Sequence, residues 1–162
     1  MKTAFESLRR PIFAGLLALT AVTGGAAYAS DITMFRSPTC ACCLKWIEHI
    51  RAQWAATGQK GEVKIVNNPQ MQVMKHQSGV PTDLQSCHTS LVEGYVIEGH
   101  VPAKDIIRLL KEKPEGVRGL AVAGMPMGSP GMEHGDHRQA YKVIAFGPKG
   151  RSTWASYPAS GG

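Results

Sequence analysis

Charged residues make up only 19% of this 162-residue chain, aromatics 7%, and cysteine occurs four times. The basic excess, formally +6, is spread along the sequence with no Lys/Arg block and no aromatic interleaving, so the footprint of a nucleic-acid-binding surface is missing. No Ser/His/Asp arrangement, phosphate-cradling glycine loop or pair of catalytic carboxylates stands out, which leaves the common hydrolase and nucleotide-binding chemistries without a motif. No internal repeat is visible. Past the N-terminal region, no apolar run approaches the about 20 residues that a spanning helix needs.

The N-terminus reads as an export signal. Lys2, Arg9 and Arg10 form a basic region, Ile12 to Val22 an apolar one, and Ala27-Tyr28-Ala29 a small-x-small cleavage site, so the mature chain is expected to start near Ser30. Residues 1–29 carry three of the 18 basic and one of the 12 acidic residues, which leaves +4 on the rest. The roughly 133 remaining residues suffice for one domain with a modest core. The expected organisation is a signal peptide over 1–29 and one domain over 30–162, periplasmic and without stable membrane insertion after cleavage.

Three of the four cysteines fall in one run, Cys40-Ala41-Cys42-Cys43. Export favours disulfides, and an even count suits bridging. Loops closed within four residues, however, constrain an unfolded chain little. The run therefore reads as a disulfide switch, a soft-metal site, or both.

Around it the pattern is α/β. Ile32, Met34 and Phe35 mark a strand over Asp31 to Phe35, broken by Ser37-Pro38-Thr39, where Ser37 or Thr39 is placed to cap a helix. From Cys43 to about Thr57, Leu44, Ile47, Ile50 and Trp54 share one helical face with Trp46 beside them, opposite Lys45, Glu48, His49 and Ala52. Gly58 ends that helix. A strand over Val63 to Val66, a short helix over Met71 to Gln77 and a stretch from Leu84 to Val92 carrying Cys87-His88 follow. Glu93-Gly94 turns into a strand from Tyr95 to Glu98, and Pro102 opens a third helix that buries Ile106, Ile107, Leu109 and Leu110 and stops at Pro114. Strand, helix, strand, helix, strand, strand, helix predicts a thioredoxin/glutaredoxin-like fold. Residues 116–140 are expected as a Met/His-containing Gly/Pro loop and residues 141–157 as a terminal β-hairpin around Gly147-Pro148-Lys149-Gly150.

Two chemistries stay open. Cys40 and Cys43 form a C-x-x-C pair at a strand-to-helix junction, where a helix N-terminus lowers a thiol pKa. Val80-Pro81 is placed to supply the proline that faces such a motif in cis, with the isomer of that bond left open by the sequence. That makes a periplasmic thiol-disulfide oxidoreductase using Cys40 and Cys43 the alternative reading, although an exchange enzyme has no use for Cys42. Metal chemistry uses every cysteine. Thiolates suit Cu(I), and the crowding of Cys40, Cys42 and Cys43 fits sulfurs bridging a small polynuclear Cu(I) cluster better than one tetrahedral zinc.

In the expected fold the strand bearing Cys87 lies beside the one that delivers Cys40, which adds a fourth sulfur, with His88 next to it. Met125, Met127 and Met132 sit in a polar loop where thioether sulfur suits Cu(I), though a lid over the cysteines is the plainer use. His134 and His137, spaced i, i+3, suit Cu(II) or an arriving ion, or simply solvent. His49 is read as solvated and His76 as favourable charge at a helix C-terminus. His100 sits in a loop near the hairpin with its role open, while Trp46 and Trp54 are read as core.

The residues also carry a family pattern. Cys40-Ala41-Cys42-Cys43-Leu44-Lys45-Trp46, Val80-Pro81, Ser86-Cys87-His88-Thr89, Glu93 through Pro102, Gly119 through Val122 and Gly124 through Glu133 follow in order. Together they resemble the family long catalogued as a domain of unknown function whose best-known members are the periplasmic copper-resistance CopG proteins. The resemblance runs from about Asp31 to Tyr157. It implies a thioredoxin-like fold, copper binding through the cysteines of C-x-C-C and Ser-Cys-His, and copper tolerance beside efflux systems or other periplasmic copper-handling proteins. It also implies redox handling of Cu(I) and Cu(II), which makes a copper oxidoreductase one possible activity.

Overall fold

The computed structural model describes residues 30–161, and the expected signal segment lies outside them. Alternating burial makes Ile32–Arg36 the first strand, β1, with Ile32 and Met34 fully buried. Then come α1 (Cys42–Thr57), β2 (Val63–Asn67), α2 (Met71–Gln77), a 3-10 turn (Thr82–Leu84), β3 (His88–Val92), β4 (Tyr95–Glu98), α3 (Ala103–Glu112), β5 (Gly119–Ala121), β6 (Tyr141–Gly147) and β7 (Gly150–Tyr157). The expected order of elements through α3, and the terminal hairpin, are present.

One mixed sheet takes the strands in the order β2-β1-β3-β4-β5-β6-β7. The β1/β2 and β4/β5 pairs are parallel and the others antiparallel. Because side chains alternate along a strand, each strand serves two faces. On one face Ile32, Met34, Ile97 and Leu120 pack under α1 and α3, against Trp46, Ile50, Trp54, Ile106 and Leu109. On the other, Val80, Leu84, Val96, Ala121 and Phe146 form a smaller cluster. There α2 is tied to the sheet by Lys75, whose Nζ donates to Glu98 Oε1 at 2.5 Å and to Thr89 Oγ1 at 3.1 Å.

Three local expectations need correcting, and the proline isomer that the sequence leaves open is visible. Trp46, Ile47, Ile50 and Trp54 are buried on α1 as expected, but Leu44 is 41% exposed and Cys43, one residue earlier, takes the buried place at that end of the face. Neither Ser37 nor Thr39 caps it: their hydroxyls pair with each other at 3.1 Å, and the N-cap is Ala41 with no side-chain bond. Every peptide bond among the described residues is trans, Val80–Pro81 included. Pro81 instead leads into the 3-10 turn, its carbonyl accepting from Leu84 N at 2.9 Å, while Val80 packs on the face away from the cysteines. Residues 116–140 are not loop throughout, since Gly119–Ala121 forms β5. Gly119 backs directly onto the Val96 carbonyl, a closeness that any Cβ would block.

Candidate metal centre

The cysteines meet because of one register. β1 and β3 run antiparallel with Arg36 opposite His88. The turn that follows β1 and the residue that precedes β3 therefore emerge at the same end of the sheet. The Arg36 guanidinium fixes the turn: Nη2 donates to the Pro38 carbonyl at 2.9 Å and the Cys40 carbonyl at 2.6 Å, and Nη1 to Asn67 Oδ1 at 3.3 Å. Since α1 begins at Cys42, Cys42 and Cys43 both lie in its first turn, Cys43 fully buried and Cys42 half-buried, with Cys40 half-buried in the turn before it.

Cys40 and Cys43 are joined as a disulfide, and Cys42 and Cys87 are free. Cys42 Sγ lies 3.3 Å from Cys40 Sγ and 4.0 Å from Cys87 Sγ, and Cys43 Sγ lies 3.7 Å from Cys87 Sγ. All four sulfurs are within 4.8 Å of one another. A metal–thiolate bond of about 2.3 Å places two sulfurs on one ion at most about 4.6 Å apart. These three contacts fit shared or bridging ligation of a soft ion once the disulfide is reduced.

Two imidazoles complete the floor. Glu93 and Gly94 both take positive φ, the type I′ geometry that joins β3 to β4 in a two-residue hairpin. Thr89 pairs with Glu98 and Gly99 N donates to the His88 carbonyl at 2.9 Å, so the next step along brings His100 opposite Cys87. His100 Nε2 is 3.0 Å from Cys87 Sγ, and His88 Nδ1 is 3.2 Å from the same sulfur. His88, Cys87 and His100 thus form a second potential ligand group sharing one sulfur with the first. Trp46 roofs His88 with ring centroids 4.6 Å apart, and its Nε1 donates to the Val101 carbonyl at 2.8 Å.

Burial sets the charge of this corner. It is the main cause pushing the Cys87 thiol up to about 12, with the neighbouring Cys42 adding to it. It also holds both imidazoles down, His88 furthest, where His100 and Lys75 work in the same direction. The Pro130 carbonyl, 2.7 Å from His100 Nδ1, is an acceptor only, so Nδ1 carries the proton and donates. The Nε2 lone pair then faces Cys87, whose thiol donates to it. His88 Nε2 is buried with no hydrogen-bonding partner. The corner is therefore neutral and desolvated, with His88 Nε2 unpartnered, and a cation arriving at Cys87 has to displace its thiol proton before that sulfur can ligate.

Behind the sheet, Glu98 accepts from Ser86 N and Thr89 Oγ1, both at 2.6 Å, besides Lys75. This buried ionic layer anchors the residue before Cys87. Above the cysteines, residues 124–139 fold back over the start of α1. Gly131, at φ +84°, lies so close that a Cβ would meet Trp46 N at 2.6 Å. An open cleft of about 520 Å³ lies between this loop and α1, lined by Cys42, Met125, Met127, Met132 and His134. Met127 and His134 also line an adjoining cleft of about 540 Å³ that reaches His137.

The structure thus brings together Cys40, Cys42, Cys43, Cys87 and His88. Met125, Met127, Met132 and His134 line the approach to Cys42, and His137 stands one cleft further out. His100 belongs to the floor of the site. His49 is half-buried, not solvated, and its Nε2 accepts from Ala103 N, the first residue of α3, at 3.1 Å. Trp46 and Trp54 are core, as read from the sequence.

Residues 84–132 match a family described as "Protein of unknown function, DUF411". No curated protein matches the chain. Two solved structures are similar. "Copper resistance protein copG- Form 1" is 40% identical over 79% of this chain and 97% of that one, with a TM-score of 0.71. "Copper resistance protein copG- Form 2" is also 40% identical, over 80% of this chain and 99% of that one, with a TM-score of 0.70.

Proposed function

The chain belongs to the CopG family of copper resistance proteins, and we propose that it is an exported, periplasmic copper-binding protein that holds Cu(I) on Cys40, Cys42, Cys43 and Cys87. The observation that carries this reading is the convergence of four sulfurs within 4.8 Å from two distant parts of the chain. Copper is the cargo. Reduction of the Cys40–Cys43 bond by two electrons and two protons frees two thiols, and Cu(I) then displaces thiol protons to bind thiolates. The crowding of Cys40, Cys42 and Cys43 within four residues favours sulfurs that bridge a small polynuclear cluster, and separations of 3.3 to 4.0 Å are compatible with it. His88 and His100 flank Cys87 and supply neutral nitrogen donors.

The same cysteine pair provides a balanced redox step. Oxidation of the two thiols to the disulfide releases two protons and two electrons, which reduce two Cu(II) to two Cu(I); the reverse oxidises Cu(I). The scaffold is a thioredoxin-like core, β1 through α3, extended by β5, β6 and β7, and the cellular role is copper tolerance beside efflux or other copper-handling proteins.

A second reading, thiol-disulfide exchange, is favoured by the Cys40–Cys43 bond and by the partial exposure of Cys40. Anaerobic titration of the reduced chain with Cu(I), counting metal and free thiols together, separates the two. Several coppers per chain, fewer in Cys42→Ser, are expected. An absence of tightly bound copper in a chain whose Cys40–Cys43 disulfide catalyses insulin reduction would overturn the copper reading in favour of exchange.

A further inference from the structure

Among the described residues two cations are buried, and only one of them has a carboxylate. Lys75 is paired with Glu98, whereas no ion pair includes Arg36, whose side chain is 8% exposed. Every acceptor that Arg36 reaches is neutral: the Pro38 and Cys40 carbonyls on Nη2 and Asn67 Oδ1 on Nη1. Its Nε is buried with no partner. A guanidinium is charged at every working pH, and burying a charge against dipoles alone is costly. A neutral donor satisfies carbonyls without that cost, so the hydrogen bonding of the turn does not account for the charge.

The residue that Arg36 grips points to the missing anion. Cys40 belongs to the turn, its Sγ is 3.3 Å from Cys42 Sγ, and all four sulfurs lie within 4.8 Å of one another. Nearby acids are absent or engaged elsewhere. The first turn of α1 holds none, and Glu133, which lines the cleft over Cys42, is exposed and accepts from Gly131 N at 2.9 Å. Cu(I) held by two thiolates brings one positive charge to two negative ones. The step releases two thiol protons to solvent, forms two copper–sulfur bonds and moves no electrons. It leaves the site net negative, so the first copper to arrive creates the anion that Arg36 lacks.

We propose that Arg36 is a positioning residue of the copper site, acting through Cys40: its guanidinium is the resident counter-charge for the first thiolate-bound Cu(I). The metal-free chain stores an uncompensated cation, and copper loading relieves it. The inference deepens the copper reading and rests on it.

The test is anaerobic competition of the reduced chain against the Cu(I) chelator bicinchoninate, with less than one Cu(I) per chain so that only the first ion is read. Asn67→Asp keeps the side-chain shape and every bond of the turn while setting a carboxylate at the Nη1 contact. Because Asn67 is exposed and water screens the new pair, first-ion binding is expected to weaken by about threefold. The metal-free, disulfide-bonded variant is expected to resist urea at least as well as wild type. Arg36→Gln removes the charge and should weaken first-ion binding by about tenfold or more, the effect of a unit charge at close range. Arg36→Lys loses the planar fork, keeps the charge and should recover most of the affinity.

An arginine that only shapes the turn gives a different pattern. Arg36→Lys and Arg36→Gln then fall together, with affinity following urea stability, and Asn67→Asp binds copper as tightly as wild type. Either result would overturn the counter-charge, and wild-type binding would leave the cysteine reading standing. Asn67→Asp decides the matter even where Arg36→Gln fails to fold. A wild-type chain that takes no Cu(I) from bicinchoninate would sink both.

Discussion

Replacing Lys75 by methionine tests the ionic layer behind the site. The Lys75–Glu98 pair is 2.5 Å apart with side chains 2% and 0% exposed, so neither charge has water to fall back on. Methionine keeps most of the stem and volume, which keeps any cavity contribution small. The loss then comes from leaving Glu98 buried without its cation, about 3–5 kcal/mol for pairs of this kind. Ser86 N and Thr89 Oγ1 still donate to the carboxylate, which places the expectation near the lower end, about 3 kcal/mol. For a domain of this size that is a drop in Tm of about 10 °C. Urea unfolding of Lys75→Met, Glu98→Gln and the double variant, with the disulfide intact, gives the coupling. The double variant is expected to recover at least about 1 kcal/mol relative to the sum of the singles. Glu112→Gln, which breaks the exposed Arg108–Glu112 pair, is the control and should change stability by less than about 0.5 kcal/mol. A Lys75→Met loss under about 1 kcal/mol, or strict additivity, would refute the argument that burial makes this pair strong.

Three further outcomes follow from the geometry. Gly131→Ala forces a Cβ against Trp46 N at a left-handed φ, so a loss of about 1–3 kcal/mol from backbone strain alone is expected in thermal unfolding; wild-type stability would show that the loop is not seated on α1. Tyr157→Phe deletes the hydroxyl that donates to Asp105 Oδ2 at 2.5 Å and should cost about 1–3 kcal/mol near neutral pH. Burial and Asp105 hold the Tyr157 phenol above its usual 10.0 in the folded chain. Above pH 10 the unfolded chain therefore sheds that proton first and stability falls, so the gap between wild type and Tyr157→Phe should narrow there in urea titrations. Finally, with the Cys87 thiol held up at about 12, iodoacetamide near pH 8 should alkylate Cys87 far more slowly than an ordinary free thiol in the metal-free chain, as mass spectrometry of the labelled peptides would show.

The elements were legible where pattern and punctuation agree, as with α1 between Pro38 and Gly58 and the hairpin at Glu93-Gly94. β5 was not, since three consecutive buried residues carry no period. Three of the four cysteines declare themselves by adjacency, and Cys87 by the strand neighbourhood the expected fold required. His100 could have been placed as well. Counting outward from the Glu93-Gly94 turn pairs Val92 with Tyr95 and Thr89 with Glu98, and two steps more set His100 against Cys87. Lys75 offered no such handle: nothing in the sequence of a short helix marks one lysine as buried, and only the docking of α2 brings it to Glu98. Arg36, which holds the cysteine turn by two carbonyls, is likewise visible only once the chain has turned back on itself.

The sheet at β3 works as a partition between two incompatible chemistries. His88 faces Trp46 and the sulfurs, and its neighbour Thr89 faces Lys75 and Glu98. A slip of one residue in the pairing of β3 would exchange them. A neutral imidazole would then meet the ammonium group, and a hydroxyl would replace the ring beneath the tryptophan. Misregistered chains are penalised on both sides at once, so the soft-donor corner and the ionic layer proofread each other during folding, and neither can be redesigned without consulting the other.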